Sequence, residues 1–161
     1  MNAVNASQNT PGARLAFQSY AGIGVLVFLL MMVAGAVLRM AQGKWIALPD
    51  DIFYQIMTLH GAGMVGTSGL AGAAVMWYFL RKYVKLSTGI FVAMLVLSLV
   101  GVVMILVAIG VGGFAGAWTF LFPLPAKSAG QWSNHAAAGY IGGLVFIGVG
   151  FLLFYLDCAI A

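Results

Sequence analysis

Charged residues are scarce in this sequence, and their scarcity decides the class of protein. Of the 161 residues, seven are Lys or Arg and three are Asp or Glu, whereas 63% are hydrophobic. So few charges cannot cover the surface of a water-soluble domain, and the composition therefore indicates an integral membrane protein. The basic residues lie near the ends of the apolar runs, so the net charge of +4 gives no reason to expect binding to nucleic acid.

The side chains needed for most catalytic or metal chemistry are also few. A single cysteine, Cys158, excludes an internal disulfide and a cysteine-rich metal or iron–sulfur site. The histidines are His60 and His135. No carboxylate lies deep inside an apolar run, which leaves proton pumping through an internal chain of acids without support. The carboxylates are Asp50, Asp51 and Asp157.

Four apolar runs are each long enough to cross a bilayer, which takes about 20 residues in a helix. We predict an all-α integral membrane bundle of four transmembrane helices, at about 17–40, 52–80, 86–111 and 133–155. The polar and small residues 1–16 predict a flexible cytoplasmic tail, and Asp51 is predicted to N-cap the second helix. Pro123 and Pro125 predict an apolar loop over 112–132, because proline breaks a continuous helix.

The distribution of basic residues predicts the orientation of the bundle. The tail and the turn between the second and third helices carry Arg14, Arg81, Lys82 and Lys85. The opposite side carries Arg39, Lys44 and Lys127, offset by Asp50 and Asp51. Because basic loops stay on the cytoplasmic side, both termini are expected in the cytoplasm of a multi-pass protein.

His60 lies within the second apolar run, where an ionisable side chain is a functional hypothesis by default. Its imidazole either donates to a carbonyl or hydroxyl on a neighbouring helix or ligates a metal or haem iron. Nearby glycines leave a low surface that suits either a neighbouring backbone or a flat macrocycle. They are Gly61, Gly63, Gly66, Gly69 and Gly72.

His135 is the other candidate ligand for a haem iron. Counted from the predicted helix starts, His60 lies roughly 12 Å into the membrane and His135 roughly 3 Å, at about 1.5 Å per residue. Two axial ligands of one iron should lie at similar depths. One haem between His60 and His135 is therefore the less favoured arrangement.

The segment 54–64, Tyr-Gln-Ile-Met-Thr-Leu-His-Gly-Ala-Gly-Met, resembles the second helix of haem–copper oxidase subunit I, whose HGxxM-type segment carries a haem ligand. Other family landmarks follow in order: Arg39 with Ala41-Gln42-Gly43, Trp118-Thr119-Phe120 with Phe122-Pro123-Leu124, and His135 early in the fourth helix. The sequence around His60 and the closing residues Tyr155-Leu156-Asp157 look closest to those of the B-type oxidases. The likeness covers nearly the whole chain but only the family's first four helices.

The resemblance implies a function in electron transfer to oxygen in a respiratory chain. His60 would be one axial ligand of a low-spin haem of b or a type, with Gly63 and Met64 beside it. Arg39 would stabilise a haem formyl or propionate, and Trp118 would pack near the outer haem edge. The second low-spin ligand, the high-spin haem ligand and the copper ligands belong to later helices of the family, so copper is expected in a partner chain if at all.

The expected partners are a membrane chain carrying the remaining oxidase helices and a subunit II-like electron-entry subunit. The chain would not be catalytic alone, and the expected location is the inner membrane of a bacterium or archaeon. Two alternatives stay open at this point. One is a self-contained membrane cytochrome b with His60 and His135 as ligands, and the other is a haem-free assembly or anchor subunit.

Overall fold

The computed structural model describes residues 10–116 and 131–161, and these residues form four helices. The helices are α1 (Pro11–Gln42), α2 (Asp50–Leu80), α3 (Thr88–Gly110) and α4 (Asn134–Ile160). All four are long and apolar enough to cross a membrane. The prediction of an all-α bundle of four membrane-spanning helices is therefore confirmed.

The first helix begins at Pro11, six residues before the predicted start at 17, so residues 11–16 are not part of a flexible tail. The Thr10 hydroxyl accepts a hydrogen bond from the Ala13 amide at 3.2 Å, which satisfies one of the free N–H groups of the first turn. Proline is favoured at the first helical position because its fixed φ suits the helix and its missing N–H is not needed there. Residues 1–9 of the predicted tail lie outside the described residues.

The last helix runs to Ile160, five residues beyond its predicted end at 155. The prediction ended it early because Asp157 is charged and follows the apolar run. In the structure the Asp157 carboxylate accepts a hydrogen bond from the Ser87 amide at 2.9 Å. The acid is thus satisfied at the start of α3 while its own helix continues.

The second helix starts without the predicted cap. Asp51 is not the N-cap residue, because Pro49 occupies that position and Asp50 and Asp51 both lie in the first helical turn. Carboxylates in the first turn still interact favourably with the positive end of the helix dipole. The two acids therefore support this helix start by charge and not by capping.

The helices pack mainly as two antiparallel pairs, α1 with α2 and α3 with α4. Glycines set the close approach of the second pair. A methyl group on Gly101 would collide with the carbonyl oxygen of Gly143, and one on Gly143 would collide with the carbonyl oxygen of Gly101. Gly150 lies seven residues after Gly143, about two turns further along α4, and packs against the backbone of Met94. Small residues at such contacts let helix backbones approach closely, which is a main source of association inside a membrane.

One aromatic cluster joins the four helices near the start of α1. The Phe91 ring lies between the rings of Tyr20 and Trp77, with 4.1 Å between centroids on each side. The Tyr20 hydroxyl also donates to the Phe91 carbonyl at 2.8 Å. Phe154 near the end of α4 lies 6.0 Å from Phe91 between ring centroids, so the last helix joins the same cluster.

A second cluster lies at the other end of the bundle and belongs chiefly to α3 and α4. Phe114 stacks on Tyr140 with 4.4 Å between ring centroids, and both side chains are fully buried. Leu59 and Ala62 of α2 pack against this cluster. No α1 residue belongs to it among the described residues, so the second half of α1 packs on α2.

Charge differs between the two ends of the bundle. The end with the first cluster carries four basic residues and one carboxylate, and we call it the basic end; its charged residues are Arg14, Arg81, Lys82, Lys85 and Asp157. Arg81 is 5% exposed and its guanidinium lies over the Trp77 ring, 4.5 Å from the centroid. Burial lowers the pKa of Arg81, an effect that Tyr78 partly opposes.

The glycine contact between α3 and α4 can be tested by adding single methyl groups. Gly143→Ala should lower the free energy of unfolding by about 1–3 kcal/mol, the usual cost of overpacking, because its methyl meets a backbone carbonyl that cannot move aside. Gly148→Ala on the same helix is the matched control, since nothing lies within 4 Å of the added methyl. Unfolding in mixed micelles measures both, and equal stability of the two variants would contradict the contact.

Candidate functional site

His60 of α2 faces α1, and one of its ring nitrogens is fixed there. Nδ1 lies 2.8 Å from the carbonyl oxygen of Met31. A carbonyl oxygen can only accept, so Nδ1 carries the proton and donates it to this bond. In the neutral ring the lone pair is then on Nε2, which makes no hydrogen bond within the described residues. This is the tautomer in which Nε2 can bind a metal ion.

The ring fits against α1 because residue 35 is glycine. A Cβ atom at Gly35 would lie 2.8 Å from Cε1 of His60 and 3.4 Å from both ring nitrogens. Any larger side chain would push the ring away from Met31. Sequence reasoning missed both Gly35 and Met31; the available clue was that Gly35 precedes Arg39 by one helical turn, on the face that the resemblance points toward His60.

The α2 glycines, predicted to leave a low surface for a neighbouring backbone or a flat macrocycle, have different neighbours along the helix. Gly63 lies against the Met31 thioether. A Cβ atom added at Gly69 would lie 3.0 Å from the Phe151 ring. Gly66 and Gly72 have nothing within 4 Å. The surface one turn below His60 is therefore covered by Met31, and a flat group beside Gly63 requires this side chain to move. Methionine is unbranched and adapts to such changes readily.

Arg39 lies one turn from Gly35 on α1, and Met64 lies one turn from His60 on α2. Arg39 follows Gly35 by four residues on α1, is exposed, and donates to Oε1 of Gln42 at 3.1 Å. Met64 follows His60 by four residues on α2 and is half-buried. Residues four apart share a helix face, so Arg39 and Met64 flank the imidazole from opposite directions along the helix axes. Trp118 lies outside the described residues.

His135 is not brought together with His60. It is exposed in the first turn of α4, whereas the His60 ring lies against α1. Gly112 contacts Ala136 and Gly113 lies beside Gln55, so residues 55 and 136 have similar depths. His60 lies five residues deeper in the bundle than Gln55, and His135 lies one residue nearer the surface than Ala136. The two histidines are therefore about six residues, or about 9 Å, apart along the bundle axis.

The described residues hold no group of three or more His, Cys, Asp or Glu side chains that could bind a metal ion. A single imidazole with one free nitrogen is the nitrogen ligand that α1 and α2 offer. This donor fits one axial position of a haem iron, because metal-binding histidines usually donate their other N–H to a carbonyl or carboxylate. A second axial ligand would have to come from another part of the protein or from another chain.

The contact between Gly35 and the imidazole makes a specific prediction for the isolated chain. Gly35→Ala should displace the ring and break the hydrogen bond between Nδ1 and Met31, because the ring is rigid and the added methyl lies within 3 Å of it. The ¹⁵N chemical shifts of the His60 ring should lose the signature of a protonated, hydrogen-bonded Nδ1. Gly22→Ala adds the same methyl to an open position of α1 and should leave the spectrum unchanged. An unchanged His60 spectrum in both variants would refute this arrangement.

Comparison of the chain with models of protein families, with curated proteins and with solved structures gives no significant match.

Proposed function

We propose that this chain is a four-helix part of a haem–copper oxidase-like complex and that Nε2 of His60 is one axial ligand of a low-spin haem of b or a type. The observation that carries the proposal is the 2.8 Å hydrogen bond from Nδ1 to the Met31 carbonyl. It fixes the tautomer and the direction of the ring, as outer partners of metal-binding histidines do. When bound, the haem would supply one-electron transfer toward oxygen.

The residues around His60 have distinct roles in this proposal. Gly35 gives the ring room and Met31 holds its proton, so the lone pair keeps one direction. Arg39, one turn further along α1, supplies a positive charge for a formyl or propionate group. Gly63 and Met64 border the group on α2, with the Met31 thioether moving aside. The proposed role of Trp118 rests on the resemblance alone.

The second axial ligand is proposed to come from another chain. The support is the separation of about 9 Å between the levels of His60 and His135. The partner would be a membrane chain that carries the remaining oxidase helices and any copper site, with a subunit II-like chain delivering electrons. The complex would reside in the inner membrane of a bacterium or archaeon.

A haem-free scaffold is the second candidate, and it is favoured by a different observation. Met31 covers Gly63 while its carbonyl satisfies the imidazole, so His60 also works as a structural link between α1 and α2. In this role the chain would anchor or assemble a partner and carry no cofactor. The two candidates differ in whether Nε2 ever binds iron.

Replacement of the histidines in the complex purified from its native membrane separates these candidates. His60→Ala should abolish the low-spin haem signal in the reduced-minus-oxidised spectrum, because the iron loses an axial ligand. His135→Ala is the control and should retain the signal. Loss of the signal in both variants, with haem bound to the isolated chain, would support a self-contained cytochrome instead. A wild-type complex without a low-spin signal, or one unaffected by His60→Ala, would support the scaffold.

The proposed orientation places both termini in the cytoplasm. The support is the concentration of basic residues at one end, against two basic residues and two carboxylates at the described part of the other: Arg39, Lys44, Asp50 and Asp51. Reporter fusions after Lys85 should be active only as cytoplasmic reporters, and fusions after Lys44 only as exported reporters. The reverse pattern would overturn the orientation without affecting the proposed role of His60.

A further inference from the structure

A groove runs between α1 and α2 toward the basic end, on the surface that α3 and α4 leave uncovered. Its volume is about 410 Å³ and its lining is mostly apolar. Buried small residues, among them Gly24 and Ala74, form its floor, and larger, less buried residues, among them Phe17, Phe28 and Val75, form its walls. A Cβ atom added at Gly24 would meet nothing within 4 Å, so the floor is open there.

The hydroxyl groups in the groove are already satisfied. Thr67 donates to the Gly63 carbonyl at 2.7 Å, and Ser68 donates to the Met64 carbonyl at 2.9 Å, both within α2. The groove therefore offers no free hydroxyl proton to a polar partner. An apolar chain can occupy it without leaving a hydrogen bond unmade.

Two cations stand at the basic end of this groove. The Phe17 ring, part of the groove wall, packs on Tyr78 with 4.8 Å between centroids. Lys82 lies over the Tyr78 ring, with Nζ 4.5 Å from its centroid, and Arg14 precedes Phe17 by three residues on α1. Residues three or four apart share a helix face, so Arg14 lies about one turn beyond Phe17, and Lys82 lies one turn beyond Tyr78, whose ring packs on Phe17.

These charges have no carboxylate beside them. Asp50 and Asp51 lie at the opposite end of the bundle, and Asp157 accepts the Ser87 amide at the start of α3. Arg14 and Lys82 are both exposed. An anionic group beyond the groove would therefore meet two uncompensated positive charges.

We infer that the groove binds the acyl chain of an anionic phospholipid whose phosphate lies between Arg14 and Lys82. The lining of α1 extends from Phe17 to Phe28, about 16 Å at the rise of a helix, which accommodates most of an extended acyl chain. Clusters of basic residues at the membrane surface attract anionic headgroups, by about 1 kcal/mol for each Lys or Arg. The site does not depend on haem binding.

A partner helix is a poorer occupant than a lipid chain. A helix with a diameter of about 10 Å that ran along the same 16 Å would fill about 1,250 Å³. A cylinder of this size is larger than the groove, so a helix would lie over the groove and leave its floor empty. The narrow groove and the cations at one end together select a chain with an anionic head.

Native mass spectrometry of the full chain in non-ionic detergent tests the headgroup. Phosphatidylglycerol and phosphatidylcholine with identical acyl chains are added in equal amounts, and retention of one phosphatidylglycerol is expected. Arg14→Gln and Lys82→Gln should each weaken its retention about fivefold, the loss of one surface cation. Lys85→Gln removes the same charge from an exposed position outside the groove contacts and should change retention less than twofold. Equal retention of the two lipids, or equal effects of Lys82→Gln and Lys85→Gln, would overturn the site.

A glycine pair on α1 tests the position of the acyl chain. Gly24→Leu fills the groove floor and should abolish retention of phosphatidylglycerol. Gly22→Leu adds the same side chain two residues away, where nothing lies within 4 Å and the residue does not line the groove, and should retain the lipid. Lipid retention in both variants would overturn the groove as the binding position. Retention in both, with loss of a co-purifying membrane chain in Gly24→Leu, would assign the groove to a partner helix.

Discussion

A bilayer offers no water to a polar group, and this constraint favours polar side chains that find a partner inside the protein. Three hydroxyls of α2 do so by donating to a carbonyl of their own helix. Thr58 bonds to Tyr54 in this way at 2.7 Å, and Thr67 bonds to Gly63. His60 has no such acceptor within α2 and reaches across to Met31 of α1. That single need links two helices and fixes the ring that carries the proposed function.

Inside a membrane, close packing of helix backbones supplies much of the association free energy that the hydrophobic effect supplies in water. Lipid tails are as apolar as leucine, so helices in a membrane gain by packing backbones closely at small residues. The contact of Gly101 with Gly143 unites α3 and α4, and the contact of Gly35 with the imidazole unites α1 and α2. The same residue type therefore brings two backbones together in one pair and gives room to the His60 ring in the other.

The sequence was sufficient to predict the fold class and the placement of four helices, because long apolar runs are decided by composition alone. The predicted helix ends were less accurate. Thr10 caps α1 and Pro11 begins it earlier than predicted, and α4 continues past Asp157 because the carboxylate accepts a hydrogen bond from the Ser87 amide at the start of α3. His60 was singled out from the sequence, but Met31 and Gly35, the residues that its ring contacts, were not. Met31 offers a backbone carbonyl and Gly35 offers empty space, and neither property is visible in a side chain. The functional assignment stays a prediction.

The groups that hold the imidazole all belong to the first two helices, and this has a consequence for biosynthesis. Met31, Gly35 and His60 are complete once α2 has left the ribosome, because α3 and α4 contribute nothing to the ring contact among the described residues. Domains made from the N-terminus generally acquire structure in that order. A helical hairpin inserted into the membrane thus carries an oriented imidazole before the rest of the bundle exists.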